Sequence, residues 1–415
     1  MSAKISSFTM LKRFLNRVLN RLVRAFLALL PRPIFNAIET QTKRLAYNEQ
    51  SRQIASGSFF AGKATVSVEQ IPANEAGLIL KCADSFNAAK QRQSMVPKEY
   101  LPSHEWKRIL EAEWSRYHDA LLNKDVKTLA PFLRNFLRNE GASGFWGGTK
   151  MFDNFLQLRG LDALQREGMM LRQFDAWRSI FPDVPVAELD APRIGNPWGY
   201  NFSGMVLLEP VFEYHFQADY FRKLLRDIDV PIVLEIGGGF GALACHLLRR
   251  EGPIKYIGLD LPENLLLQSY YLGCAFPEAR ILAYDRNFSR LDRSIINNHD
   301  IMLLPNFALP DIESSVADLV INVRSLSEMA SETIEEYFLQ IDRIGRLFFF
   351  HENIFAPRRD ELWGIPSSQF PPLKNFSLIA SSESRWPKFQ RDSCYPCNEN
   401  LFIHRNALRQ GEKTA

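Results

Sequence analysis

The sequence predicts an α/β protein: a Rossmann-like, doubly wound, seven-stranded sheet preceded by a mostly helical N-terminal region. Three observations carry that prediction. Ile232, Val233, Leu234 and Ile236 form an apolar β-prone run, the pattern of a strand buried on both faces. Gly237, Gly238, Gly239 and Gly241 follow at once, then Leu243, Leu247 and Leu248 at helical spacing, and a second strand from Tyr256 to Leu259 ends on Asp260. Further β-prone runs then recur to the end of the chain, most of them separated by helical patterns.

Strand, glycine turn, helix, strand and acid together read as a nucleoside cradle. Glycines allow a tight turn and let a ligand approach the backbone with no Cβ in the way. An acid at the tip of the second strand can accept hydrogen bonds from both hydroxyls of a ribose. NAD fits this outline, because Gly237, Gly239 and Ala242 satisfy the G-x-G-x-x-A spacing. A carboxylate at Glu235 would repel a pyrophosphate lying on the turn.

In chain order, residues 1–57 read as a basic amphipathic helix and a connecting arm. Lys4, Lys12, Arg13, Arg17, Arg21 and Arg24 stand among the first 30 residues with no acid, while Leu11, Phe14, Leu15, Val18, Leu22, Phe26 and Leu29 repeat at helical spacing. That pattern suits peripheral membrane contact through residues 10–30, or packing on the protein's own body. No run reaches the roughly 20 apolar residues of a spanning helix, and the arginines break the apolar stretch too early for a signal peptide. The five cysteines, Cys82, Cys245, Cys274, Cys394 and Cys397, are few and uneven, which fits free thiols in the cytoplasm. A net charge of +3 over 415 residues gives no nucleic-acid signature.

Residues 58–192 read as a helical, aromatic cap. Weak strands are expected at Thr65 to Val68 and Leu78 to Leu80, and helices from Ser103 (its cap) to Leu121, from Thr128 to Asn139 and from Thr149 to Trp177. Residues 193–408 read as the cofactor domain, and 409–415 as a tail. Trp198, Tyr200, Tyr214, His215 and Tyr220 suit a polar ligand that stacks, such as a sugar, or equally a packed aromatic helix with His215 as a core residue. After the cradle come a helix opening at Pro262, an extra strand at Arg280 to Tyr284, and core strands at His299 to Asn306, Ala317 to Val323 and Arg346 to His351. Ser331 caps the helix between the last two. Strands at Phe376 to Ser382 and Asn400 to His404 are joined by a loop with no helical pattern, which permits one reversed strand. Asn306 and Phe307 sit at a strand tip, where an adenine ring would lie, and Asn322 sits at the end of the next strand.

The run Glu235-Ile-Gly237-Gly-Gly239-Phe-Gly241 resembles motif I of class I S-adenosylmethionine-dependent methyltransferases. Together with Gly195-Asn-Pro197, Asp260-Leu-Pro-Glu263 and Asn322-Val-Arg-Ser325-Leu-Ser-Glu328-Met329, it is similar to a bacterial family of sugar O-methyltransferases found mainly in polysaccharide and antibiotic gene contexts, over residues 190 to 355. The resemblance implies S-adenosyl-L-methionine as cofactor, with Glu235 serving its amino-acid end and Gly237, Gly239, Gly241, Asp260, Leu261, Asn306, Phe307 and Asn322 around the rest. It also implies methyl transfer to a sugar hydroxyl of a glycan, glycolipid or sugar nucleotide. A hydroxyl attacks well only once its proton leaves, so a general base is expected at a strand's carboxyl end. Glu328 and His351 are the two candidates. Glu328, Glu352 and Asp260 could gather a divalent metal, but no ligand spacing indicates one. The rival readings are an NAD-dependent oxidoreductase and a non-catalytic, membrane-docked protein that kept the fold.

Overall fold

The computed structural model describes residues 70–144, 147–202, 204–355, 364–386 and 397–408, with Pro31 and Ile34. The expected helix at 10–30, the arm to residue 57 apart from Pro31 and Ile34, the strand at Thr65 to Val68, Cys394 and the tail 409–415 lie outside the described residues.

A short hairpin, β1 (Tyr200–Phe202) and β2 (Met205–Leu207), precedes the main sheet. The main sheet comprises β3 (Ile232–Ile236), β4 (Lys255–Asp260), β5 (Ile281–Ala283), β6 (Ile301–Pro305), β7 (Ala317–Val323), β8 (Gly345–Ile354), β9 (Phe376–Glu383) and β10 (Cys397–His404). Their order across the sheet is β5-β6-β4-β3-β7-β8-β10-β9. β10 runs antiparallel to both of its neighbours, and the remaining pairs are parallel. This is the seven-stranded class I methyltransferase fold with one strand added: the extra strand expected at Arg280 to Tyr284 forms β5 and pairs along the open edge of β6.

The strands read as continuous apolar runs because both faces of the sheet are covered. Val233, Leu319 and Ile321 pack on one side with helices α7 (Val211–Leu224), α8 (Ala242–Arg249) and α9 (Pro262–Ala275). Leu234, Ile236 and Val320 pack on the other with α11 (Ser331–Ile344). Each such side chain removed from water contributes about 1.5–3 kcal/mol. Pro262 opens α9 at the position where its missing N–H costs nothing.

The N-terminal helices are α1 (Ala73–Gln93), α2 (His104–Ile109), α3 (Ser115–Leu122), α4 (Val126–Arg134), α5 (Thr149–Gln157) and α6 (Gly160–Ile180), and α10 (Arg293–Asn298) lies between β5 and β6. Leu78 to Leu80 is helix, not strand: Ile79, Cys82, Ala83 and Phe86 are buried at helical spacing, which overrides the short β-prone run. The expected helix to Asn139 ends at Arg134, and the long one from Thr149 is two, broken ahead of Gly160 at φ +53°. Ser103 does cap α2, its Oγ accepting from Trp106 N at 3.4 Å. One π-helical turn, Leu110–Trp114, joins α2 to α3. Ser331 does not cap α11, since the preceding Ala330 holds the cap position.

Candidate active site

At the carboxyl ends of β3, β4 and β7 a cleft of about 330 Å³ opens. The glycine turn and Asp260 form its floor, α7 and the loop after β7 one end, and the segment Leu101 to Trp106 its front.

The floor is tightly cross-tied. Gly237 N donates to Leu259 O at 2.8 Å, so the turn is pinned to β4 as it leaves β3. Gly237 has φ +74°, and a Cβ there would fall 2.0 Å from Ser325 Oγ, so only glycine fits. Asp260 Oδ2 accepts from Gly239 N at 2.8 Å, while Oδ1 accepts from Leu261 N at 2.7 Å and Asn264 Nδ2 at 2.8 Å. Burial pushes its carboxyl up to about 6 against those bonds. Glu235 Oε2 accepts from Tyr256 Oη at 2.6 Å, and Gln268 Nε2 donates to that same phenol oxygen at 3.1 Å. Burial is the main cause that lifts Glu235 to about 7.

Asn306 also lines the cleft, and its Nδ2 donates to Tyr100 O at 2.8 Å and Tyr337 Oη at 3.0 Å. The buried amide oxygens of Asn306 and Asn264 have no partner among the described residues.

Glu328 is exposed onto the cleft, and its Oε2 accepts from Trp106 Nε1 at 3.1 Å. Protein atoms crowd it even so. That crowding raises its carboxyl to about 7, with the Trp106 bond opposing and Asp260 assisting. Arg324 adopts a left-handed backbone at φ +64° and sends its side chain between two carboxylates. Its Nε and Nη2 donate to Glu352 Oε1 at 3.0 and 2.8 Å, and Nη2 also pairs with Glu213 Oε1. Glu352 is held from behind by Gln217 Nε2 at 3.1 Å.

Of the expected site residues, Glu235, Gly237, Gly239, Asp260, Leu261, Asn306 and Glu328 line the cleft together. Gly241, Phe307, Asn322 and His351 do not. Gly241 caps α8 at φ +91°. Phe307 is buried edge-on against Tyr284, with ring centres 5.7 Å apart. Asn322 is fully buried and braces the turn, donating to Ile236 O at 2.9 Å. His351 is 3% exposed among Phe349, Phe370 and Phe402, and burial lowers it to about 3, so it stays neutral and sealed from the cleft. Of the stacking aromatics only Tyr214 reaches the cleft. Trp198 and Tyr200 pack on Phe155, while His215 takes Trp177 Nε1 at 3.1 Å and faces Glu188 at 3.2 Å. Sequence reasoning missed Glu213 and Trp106 as cleft residues. Their signal was an acid and an indole inside amphipathic helices, which reads as an ordinary helix face. Among the described residues no three of His, Cys, Asp and Glu gather as a metal site, and no helix is long and apolar enough to cross a membrane.

No family model matches the chain, and no curated protein matches it. Similar solved structures include a proposed sarcosine dimethylglycine methyltransferase from Galdieria sulphuraria, 10% identical over 47% of this chain and 85% of that one, with a TM-score of 0.34. The [4+2]-cyclase SpnF is 11% identical over 46% and 80%, TM-score 0.33. A geranyl diphosphate C-methyltransferase from Streptomyces coelicolor A3(2) is 10% identical over 46% and 78%, TM-score 0.31. Likeness of this degree says nothing of substrate.

Proposed function

We propose that this protein is an S-adenosylmethionine-dependent O-methyltransferase acting on a sugar hydroxyl, with residues 193–408 as the cofactor domain and the helical region 58–192 supplying the front of the cleft. The observation that carries the reading is the union, in one cleft, of a nucleoside cradle with a carboxylate raised to about 7 beside an indole ring.

The charge of the cleft selects among cofactors. Glu213, Glu235, Asp260 and Glu328 line it, and Arg324 is its single cation among the described residues. Such a lining attracts a sulfonium and repels a pyrophosphate, which favours S-adenosylmethionine over NAD. The open hydrogen-bonding capacity also suits an adenosine. Asn306 Oδ1 would accept from the adenine amine, and Asp260 and Asn264 Oδ1 from the ribose hydroxyls. The bound cofactor supplies an electrophilic methyl group.

The chain's own residues do the rest. Trp106 offers an apolar face of the kind on which a sugar ring packs, and its Nε1–H orients Glu328. Glu328 Oε1 is left without a partner among the described residues, so it can accept the proton of an acceptor hydroxyl. A carboxyl near 7 is ionised above neutrality yet basic enough for proton transfer, an effect typically worth 10²–10⁴-fold.

The test has two stages. Isothermal titration with S-adenosylhomocysteine and, in parallel, NAD⁺ should show binding of the first alone. NAD⁺ binding alone would move the protein to the oxidoreductases. With an acceptor found by screening sugars, Glu328→Gln should lower kcat about 10²-fold or more and leave S-adenosylhomocysteine affinity unchanged. Near-normal turnover would remove Glu328 from the mechanism.

A further inference from the structure

Outside the adenosine cradle, one end of the cleft presents an arginine nitrogen and a glutamate oxygen that no protein oxygen or nitrogen among the described residues engages. Arg324 Nε and Nη2 are committed to carboxylates and the Cys397 thiol also lies within hydrogen-bond reach of the guanidinium, but Nη1 donates to no oxygen among the described residues. Glu213 Oε1 takes Arg324, and Glu213 Oε2 has no partner among the described residues. Both residues line the cleft. Protein surrounds Arg324 on most sides, yet 39% of its side-chain surface opens onto the cleft, whereas Glu352 behind it is fully buried. Tyr214 and Pro210 extend the wall along α7.

The arrangement is over-built for a structural ion pair. A single exposed pair contributes little to stability, and one guanidinium between two buried carboxyl groups can neutralise only one of them, so burial keeps Glu213 protonated at pH 7. The left-handed backbone at Arg324 is an unfavourable conformation for a side chain of this size. What the pair offers is one cationic donor nitrogen beside an acceptor oxygen, the complement of a carboxylate beside an ammonium.

We infer that Arg324 and Glu213 form a receptor for an α-amino acid head group, Arg324 Nη1 holding its carboxylate and Glu213 Oε2 its ammonium. On the reading proposed above, that head group is the amino-acid end of the cofactor. Glu235, under the glycine turn and tied to Tyr256, then contributes negative potential from beneath.

Binding is coupled to a proton. Burial, the largest cause, holds Glu213 at about 8, with Arg324 lowering it and Glu352 and Glu399 raising it. Tyr214 on α7 and Cys397 on β10 are the other titratable neighbours, both neutral at working pH because burial raises them. An ammonium at Oε2 favours the ionised form, so occupation at pH 7 expels a proton from Glu213.

The experiment compares S-adenosylhomocysteine with 5′-methylthioadenosine, which keeps the adenosine and lacks the head group. Wild-type protein should bind the former about 10–100-fold tighter, the value of one or two charge-assisted hydrogen bonds. In Glu213→Gln and Arg324→Lys that preference should shrink about tenfold or more, with methylthioadenosine affinity unchanged. Titration at pH 7 in buffers of different ionisation enthalpy should show proton release in wild type and none in Glu213→Gln. Equal affinity of the two ligands in wild type, or an equal loss of both in the variants, overturns the receptor and leaves the cradle standing. If neither ligand binds wild type, the cofactor reading itself falls. Intact methylthioadenosine binding in each variant serves as its folding control.

Discussion

Asp260 on the floor of the cleft and Glu328 at its front are both carboxylates pushed upward by burial, yet they hold different things. Asp260 spends its oxygens on Gly239 N, Leu261 N and Asn264, fastening the glycine turn to the start of α9. Glu235 beside it is committed to Tyr256. At the front and end of the cleft, Glu328 takes one indole N–H, and Glu213 Oε2 and Arg324 Nη1 pair with no oxygen or nitrogen among the described residues. The floor therefore sets shape, while the front keeps capacity for ligands. Changes to the floor should move stability and binding together, and changes to the front should move binding or rate alone.

The largest effect that could break this contrast lies at Asp260. Asp260→Asn turns one acceptor into a donor that faces the backbone N–H groups of Gly239 or Leu261. Leaving such a buried group unpaired costs about 1–3 kcal/mol. Thermal stability should fall, and affinity for S-adenosylhomocysteine and methylthioadenosine should fall equally, about 100-fold, because both carry the ribose. Calorimetric melting and titration check this. Normal stability with lost binding would make Asp260 a ribose ligand alone, with no part in holding the turn.

A second, smaller effect separates charge from shape on the same floor. Glu235 is 3% exposed and raised from an ordinary carboxyl to about 7. Its folded form thus binds a proton more tightly than its unfolded form. Stability from this group is fully present below about pH 4.5 and is lost as pH rises through 7. Glu235→Gln, which keeps an acceptor for Tyr256, should therefore stabilise the protein at pH 8, on the order of 2 kcal/mol, and leave it unchanged near pH 4. Denaturant melts at the two pH values read it. Destabilisation at pH 8 would show that the ionised carboxylate is part of the floor's own bonding.

The same contrast explains what could be read from the residues in order. The floor was legible because its parts are local: strand, glycines, strand tip and acid lie within Ile232 to Asp260, and each has a steric or hydrogen-bonding reason to be where it is. The reversed β10 was legible from a loop with no helical pattern. Trp106 and Glu213 were not, since they lie far apart in sequence and reach the cleft only through packing, whereas Glu328 was legible from its place after a strand end. His351 failed for a sharper reason. Side chains alternate along β8, so His351 shares a face with Phe349, while Glu352, one residue on, turns to the Arg324 side. A rule that selects strand ends cannot choose between neighbours pointing opposite ways. Leu78 to Leu80 failed because three apolar residues cannot outweigh the period of a helix of 21 residues.

The smallest effect tests the front alone. Trp106 Nε1 lowers the Glu328 carboxyl against burial, Asp260 and Glu105, which raise it. Trp106→Phe keeps an aromatic ring there and removes the donor, so the carboxyl should rise further above 7. If Glu328 is the base, as proposed above, it works only when ionised, and the acid limb of the kcat/KM profile should move to higher pH, by roughly half a unit to one unit for one weak hydrogen bond. The plateau rate above pH 9, cofactor affinity and melting temperature should change little, because the bond ties the front and not the floor. A plateau that collapses while the limb stays in place would mean that the indole, rather than the carboxylate it orients, is what the acceptor meets first.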